Sequence, residues 1–151
     1  MQSRSGTYVL IFQNRKPTII EVGCWGSLEI EPGFYAYIGS AFGPGGVRAR
    51  VSRHLRLDKP RRWHVDYLRE CAEPVFVWIS YDSEHLEHRW AQSLIDMPGM
   101  KPIAGFGCTD CKCLSHLFFS VREPGFARFS AVVSGNVEAW VCRDAATANP
   151  C

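Results

Sequence analysis

Four side chains within the first 54 residues have types and spacings suited to holding one polar ligand. Tyr37 lies on a predicted strand near the point where the chain leaves the sheet, and Tyr8, on the first predicted strand, can face the same surface. Arg50 and His54 are four residues apart, so on a helix they share one face and can meet one ligand together. Two phenols, a guanidinium and an imidazole are therefore candidates for one site.

Positive charge is concentrated in a single segment. Residues 48–62 contain seven basic residues and one acid, Asp58, whereas the rest of the chain carries 10 basic and 14 acidic residues. Such a distribution is typical of a surface for a polyanion, although a solvated helix face would also produce it. The seven basic residues are Arg48, Arg50, Arg53, Arg56, Lys59, Arg61 and Arg62.

The elements that must position these residues are short. Residues 6–12, 18–25 and 34–41 are rich in β-branched and aromatic residues, which predicts a three-stranded antiparallel meander. Val47, Val51 and Leu55 recur every four residues and predict a helix over residues 47–57. The remaining elements that we predict are helices over 63–71 and 83–97, the second with Ser83 as N-cap, strands over 75–80, 116–121 and 127–134, and a frayed tail over 144–151.

Composition excludes several classes of protein. With 151 residues, 46% of them hydrophobic and 21% charged, the chain forms one domain and is not a disordered one. Apolar runs reach only about five residues, against roughly 20 for a membrane-spanning helix, and none has the length that a signal peptide needs. We therefore expect a cytoplasmic protein without a membrane partner. Seven cysteines, an odd number, indicate reduced thiols.

Four motifs, taken in order, resemble those of the GIY-YIG nuclease family. They are Gly6-Thr7-Tyr8, Tyr37-Ile38-Gly39-Ser40-Ala41, Arg48-Ala49-Arg50-Val51-x-x-His54 and a later helical glutamate. Residues 62–68 (RWHVDYL) and 105–117 (GFGCTDCKCLSHL) are similar to the Uri-type subgroup of that family. The resemblance covers about residues 6 to 120, and 29 positions separate Tyr8 from Tyr37, which leaves room for an extra strand.

The resemblance implies an α/β (α+β) fold, with a small, mainly antiparallel sheet flanked by helices. It implies an endonuclease that hydrolyses phosphodiester bonds, on DNA rather than RNA, with Mg²⁺ or Mn²⁺ as cofactor. Because the chain has no separate recognition domain, we expect structure-directed or single-strand-directed cutting. The sequence makes no prediction of the oligomeric state.

The resemblance also gives roles to residues. Glu87 would hold the cation, with Glu84 as the alternative, since Mg²⁺ takes oxygen ligands and keeps several waters. Arg50 would contact the scissile phosphate. His54 would bind phosphate or move a proton. Tyr8 and Tyr37 would activate the attacking water, one of them as general base, although ionising a phenol at pH 7 costs about 4 kcal/mol.

A wider set of residues is expected to contact nucleic acid: Arg48, Arg53, Arg56, Lys59, Arg61, Arg62, Trp63 and His64. Trp63 suits either the core or stacking against single-stranded bases. His64 and Asp66, two residues apart, suit either a hydrogen-bonded pair at a helix start or contact with substrate.

Cys108, Cys111, Cys113 and His116 form a C-x₂-C-x-C-x₂-H pattern. These residue types are those of a zinc site, but four ligands within nine residues would make a very tight chelate. Small buried thiols that close the sheet are the preferred interpretation, with zinc binding and a redox or substrate contact as alternatives.

Domain organisation follows from the extent of the resemblance. Residues 1–121 are predicted to form the nuclease-like domain, and residues 122–151 a strand extension with a tail. Two other functions stay open: a nucleic-acid-binding protein that does not cut, and a zinc-stabilised interaction module.

Overall fold

The fold is α+β, as predicted, and consists of a six-stranded antiparallel sheet with helices on both faces. The structure is a computed structural model that describes residues 1–133 and 135–142. Its strands are β1 Gly6–Asn14, β2 Thr18–Val22, β3 Gly26–Ile30, β4 Gly33–Ala41, β5 Glu73–Ser80, β6 Lys101–Pro102, β7 Leu117–Ser120 and β8 Glu138–Val141. The helices are α1 Gly46–Leu55, α2 His64–Cys71, α3 Glu87–Asp96 and α4 Phe126–Val132.

Strand β1 lies inside the sheet, whose order is β6-β7-β4-β1-β5-β8. Alternate residues of β1 enter two different cores: Tyr8 and Leu10 pack with α1 and α2 on one face, whereas Val9 and Ile11 pack with α3 and α4 on the other. When both faces of a strand are buried, successive residues are apolar rather than alternating with polar ones. This explains why residues 6–12 are almost continuously apolar.

The predicted three-stranded meander is wrong. β1 pairs directly with β4, and β2 pairs with β3 in a separate two-stranded sheet that packs on the face of α1 and α2. A 3₁₀ turn at Gly23–Trp25 breaks the predicted strand 18–25, and the positive φ of 115° at Gly26 suits glycine. The segment between the two short motifs is therefore a hairpin on the sheet and not a strand within it.

Two other secondary-structure predictions are wrong, and both concern segments that contain helices. Residues 127–134 are not a strand: α4 covers most of them, because Phe126 and Phe129, three residues apart, both pack against Trp78. Helix α3 starts at Glu87 and not at Ser83, so Ser83 is not its N-cap. Ser134, the last residue of the predicted strand, lies outside the described residues.

The helices predicted over 47–57 and 63–71 and the strands over 75–80 and 116–121 correspond to α1, α2, β5 and β7, with ends shifted by up to two residues. The predicted boundary after residue 121 stays a prediction. Beyond it, β8 pairs with β5 in the same sheet, and Phe129 of α4 is buried. The predicted tail over 144–151 lies outside the described residues. None of the four helices in the described part is long and apolar enough to span a bilayer.

Candidate active site

A cavity of about 320 Å³ lies at the end of β4, where α1, α3 and the loop before β7 converge. All five residues that the sequence predicts as catalytic, Tyr8, Tyr37, Arg50, His54 and Glu87, contribute to its wall. The other residues that line it are Gly39, Ser40, Trp63, His88, Gly107, Asp110, Cys111 and His116.

Strand register brings the two tyrosines together. Tyr8 pairs with Gly39 across β1 and β4, and Leu10 pairs with Tyr37, so both phenols lie on the face that carries α1. The Tyr8 ring lies over Gly39, where an added methyl group would overlap the phenol oxygen. Glycine is thus required at position 39 by the close approach of a side chain, although its backbone φ is ordinary.

Tyr8 and His54 form a buried hydrogen-bonded pair. The Tyr8 hydroxyl lies 2.8 Å from His54 Nε2, and both side chains are almost completely buried. On its other side, His54 Nδ1 is 3.7 Å from Asp66 Oδ1, too far for a hydrogen bond but close for an ionic interaction. Burial lowers the pKa of His54 more than the Asp66 carboxylate raises it, so the imidazole is neutral at neutral pH and can accept a proton.

Asp66 is a buried carboxylate at the centre of a charged cluster. Its side chain is fully buried, and it pairs with Arg53 and with Lys59, each at 3.1 Å. It also accepts hydrogen bonds from the backbone N–H groups of Arg62 and Trp63, at the start of α2. Burial would raise the pKa of Asp66, but these hydrogen bonds and charges outweigh it and hold the pKa far below the usual range.

The guanidinium of Arg50 is held in the cavity by Trp63. Arg50 Cζ lies 4.5 Å from the centroid of the Trp63 ring, and Arg53 Cζ lies 4.3 Å from the same ring. A guanidinium stacked on an indole keeps its N–H groups free in the plane, where they can donate to an anion. Base stacking on Trp63 stays a prediction, and the ring already contacts two cations.

Glu87 is an ionised carboxylate at the cavity wall. Burial raises its pKa, but hydrogen bonds from His116 and Ser40 outweigh that effect and leave the pKa below its usual value. Its Oε1 lies 2.8 Å from His116 Nδ1, and 21% of its side chain is exposed. The alternative, Glu84, is exposed, does not line the cavity and pairs with Arg89 at 2.9 Å.

The phenols are protonated in the resting protein. Burial raises the pKa of Tyr8 well above its ordinary value, and the Arg50 guanidinium acts in the opposite direction without offsetting it. Burial likewise raises the pKa of Tyr37, with the Glu87 carboxylate adding to the rise. A phenolate is therefore too costly to form in the resting cavity, and a phenol can take a proton from water only if it passes its own proton to a neighbour.

The basic residues predicted to contact nucleic acid divide into three groups. Lys59 is inside the protein, with its side chain 3% exposed, and Arg53 is partly buried; both neutralise Asp66 rather than face solvent. Arg61 is exposed and pairs with Glu70. Three exposed arginines have no ion-pair partner among the described residues, and these are Arg48, Arg56 and Arg62.

His64 also differs from one expectation. Its Nδ1 accepts a hydrogen bond from the Gly107 backbone N–H at 3.2 Å, and its ring packs on Phe106. The suggested pair of His64 with Asp66 does not form, because Asp66 turns toward α1 instead. His64 thus supports the loop that closes the cavity.

Residues 108–116, here called the cysteine loop, contain the four predicted zinc ligands, and the structure brings three of the four together. The side chains of Cys111, Cys113 and His116 meet His88 of α3, and the four donor atoms all lie within 4.8 Å of one another. Cys108 lies outside this group and points its thiol toward the Phe106 carbonyl oxygen, at 3.4 Å.

Comparison with known proteins identifies the family. The family described as Domain of unknown function DUF123 matches residues 7–137, which is most of the chain. The chain belongs to this family. No curated protein and no solved structure gives a significant match.

Two residues at the site of this DUF123 domain, His88 and Ser40, are absent from the predicted site residues although they contact members of that set. Asp66, which the sequence suggested as a partner of His64 or a substrate contact, faces His54 instead. His88 directly follows Glu87 in sequence, yet nothing in a helical pattern reveals that it meets a loop 25 residues away. Ser40 lies inside the quoted Tyr37 to Ala41 motif, so its position in the motif was the available signal.

Proposed function

We propose that this chain is a metal-dependent endonuclease of the GIY-YIG type, in the Uri-type subgroup, that hydrolyses phosphodiester bonds of DNA. The single observation that supports this most is the convergence of Tyr8, Tyr37, Arg50, His54 and Glu87 on one cavity. These five residues come from four separate elements, and nothing in general folding rules requires that they meet.

In this proposal Arg50 contacts the scissile phosphate. Its guanidinium is fixed by Trp63 at 4.5 Å and faces a cavity that the two phenols also line. As the phosphorus gains a fifth oxygen, negative charge builds on the equatorial oxygens, and a permanently charged, preorganised donor stabilises that state more than the ground state.

Tyr8 and His54 move the proton of the attacking water. The water gives a proton to the Tyr8 oxygen while the Tyr8 hydroxyl proton passes to His54 Nε2, 2.8 Å away. No free phenolate is formed, which agrees with the raised pKa of Tyr8. The imidazolium that results faces the Asp66 carboxylate at 3.7 Å, which stabilises its charge. Tyr37 orients the water from the same face.

The side chains fit a hard divalent cation at Glu87. This carboxylate stays ionised, reaches the cavity and has the Ser40 hydroxyl beside it, which makes an all-oxygen set of the kind that Mg²⁺ takes together with water and phosphate. When bound there, Mg²⁺ or Mn²⁺ supplies positive charge to the oxygen that leaves. Glu87 would hold the ion, and Glu84 is too remote from the cavity to replace it.

The described residues form a six-stranded sheet, a two-stranded hairpin and four helices. The proposed substrate is DNA recognised by its structure or by single-strandedness. In this proposal three exposed arginines contact the phosphates on either side of the cleaved bond: Arg48, Arg56 and Arg62.

The test uses the purified chain with labelled single-stranded, duplex and branched DNA, and with single-stranded RNA, in Mg²⁺ or in EDTA. We expect Mg²⁺-dependent products from single-stranded or branched DNA, with none in EDTA. Binding that persists in both conditions without product would support the alternative, a nucleic-acid-binding protein that does not cut.

A further inference from the structure

We propose that His88, Cys111, Cys113 and His116 bind a zinc ion in a Cys₂His₂ site that ties α3 to the loop before β7. This site adjoins the magnesium position, because His116 contacts Glu87, but its zinc content can be measured whether or not the chain cuts DNA. The four donor atoms come from two segments, α3 and residues 111–116, and lie within 4.8 Å of one another.

The distances suit a small tetrahedral ion. His88 Nδ1 lies 2.8 Å from Cys113 Sγ, and Cys111 Sγ lies 3.3 Å from His116 Nε2. Zinc bonds of about 2.3 Å to sulfur and 2.0–2.1 Å to nitrogen put such atoms about 3.6 Å apart in a tetrahedron. The two atoms of each pair therefore need to move apart by less than about 1 Å when zinc binds. Rotation of the side chains is enough for a movement of this size.

His116 is already oriented as a ligand. Its ring is buried, and its backbone is fixed by two hydrogen bonds, from its N–H to the Phe106 carbonyl oxygen and from the Ile38 N–H to its own carbonyl oxygen, each at 2.9 Å. Its Nδ1 faces the Glu87 carboxylate at 2.8 Å, which leaves Nε2 with a lone pair directed at Cys111. A carboxylate behind a ligand histidine is the usual outer partner in zinc sites.

The loop that carries the cysteines is built to hold this shape. Ser115 Oγ donates to the Leu117 carbonyl oxygen at 2.6 Å and accepts from the Leu117 N–H at 2.9 Å, so the segment is fixed where it enters β7. Gly107, with a φ of 73°, lets the chain turn beside His116, where a side chain would crowd the His116 Cβ. The end of the loop that enters β7 is therefore fixed before a metal binds.

The donor set selects the metal. Two thiolates and two imidazoles in a tetrahedral arrangement suit Zn²⁺, whereas Mg²⁺ prefers oxygen ligands. Binding displaces one proton from each thiol, and both protons are released to solvent while two Zn–S bonds form. The thiols of Cys111 and Cys113 are not in a disulfide, so they are available for this.

The test measures zinc by mass spectrometry in the full chain purified under reducing conditions without chelator. We expect about one zinc per chain. Cys111→Ser and Cys113→Ser should lose most of it, and so should His88→Ala, an exposed position that does not disturb the core. Cys108→Ser, in the same loop but outside the group, is the matched control and should keep it.

Cobalt(II) gives a second readout on the unaltered protein, independent of whether any variant folds. Exchange into the site should produce intense visible bands of tetrahedral cobalt and a thiolate charge-transfer band of the strength given by two sulfurs. Zinc-free protein that also gives an octahedral cobalt spectrum would overturn the site. Equal loss of zinc in Cys108→Ser and Cys111→Ser would overturn the ligand set.

Discussion

Glu87 Oε1 and His116 Nδ1 lie 2.8 Å apart, and through this contact the cavity of the proposed nuclease meets the cysteine loop. The two residues come from α3 and from the segment just before β7. Because one carboxylate faces both the cavity and the histidine, its charge and its orientation can be separated only by a substitution that keeps the hydrogen bond.

Glu87→Gln is that substitution. The amide oxygen can still accept from His116 Nδ1–H, but the negative charge that would hold the cation is lost. We expect DNA cleavage to fall by at least about 100-fold, with DNA binding in EDTA unchanged. Single-turnover cleavage and a binding titration provide the two readouts. Glu84→Gln, in the segment before α3, is the control and should cut normally. Full activity in Glu87→Gln would show that Glu87 does not hold the cation.

Removing the Tyr8 hydroxyl should stop proton transfer to His54. Tyr8→Phe and His54→Gln are each expected to lower kcat by about 100-fold or more, because they interrupt the same 2.8 Å contact. For that reason the double variant should be little worse than either single one. Tyr35→Phe, a buried tyrosine whose hydroxyl bonds the Glu31 backbone away from the cavity, is the control. Additive losses would mean that the two residues act in different steps.

Gly39→Ala should displace the Tyr8 phenol. The new methyl group would overlap the phenol oxygen, so we expect a loss of about 1–3 kcal/mol in the free energy of unfolding and a large loss of cleavage. Gly43→Ala adds the same methyl group where nothing lies within 4 Å, and should change neither property. Denaturant unfolding and a cleavage assay decide; equal stability of the two variants would mean that Tyr8 does not rest on Gly39.

Arg56→Ala should weaken DNA binding without changing the chemical step. Arg56 is exposed and lies at the end of α1, with no ion-pair partner among the described residues. If it contacts one phosphate of duplex DNA, the slope of log K against log salt falls by about 0.9, while single-turnover cleavage at saturating protein is unaffected. Arg89→Ala, which lies on α3 in an ion pair with Glu84, is the control. An unaltered slope would remove Arg56 from the interface.

Stability should decrease on acidification in two steps. Below about pH 6.5 the unfolded chain protonates His54, whereas burial lowers the pKa of His54 in the folded protein, so unfolding is favoured as the pH falls. Below about pH 4 the same holds for Asp66, whose pKa is held far down in the fold. Each group contributes at most about 1.4 kcal/mol per pH unit.

Calorimetric unfolding between pH 8 and pH 3 measures this dependence. His54→Gln carries no titrating group at that position, and its stability should vary less with pH than that of the unaltered protein between pH 6.5 and 5. Parallel curves for the two proteins would show that His54 is not neutral in the fold.

Local sequence patterns were sufficient to predict helices α1 and α2 and the site residues that lie within the quoted motifs. Val47, Val51 and Leu55 predict the buried stripe of α1, and the same helix then directs Arg50 and His54 together. These relations are local, because a helical repeat of 3.6 residues determines which side chains share a face.

Long-range pairing was not predictable from such patterns. Residues 18–25 have strand composition whether they extend the main sheet or form a hairpin on it. Only the pairing of both edges of β1, with β4 and with β5, excludes their insertion beside β1. Phe126 and Phe129 favour a strand by composition, yet their common contact with Trp78 selects a helix. His88 joined the cysteines for a similar reason: the meeting of α3 with residues 111–116 is a property of packing.

The cavity takes Tyr8 from near the start of the chain and His116 from a position 108 residues later. During synthesis on the ribosome, the arginine-rich segment therefore emerges long before Glu87 and the last wall residues. A nascent chain that stops short of residue 116 can display its positive charge but cannot assemble the cavity. Any ligand or reaction that this cavity accommodates must therefore wait until β7 pairs with β4.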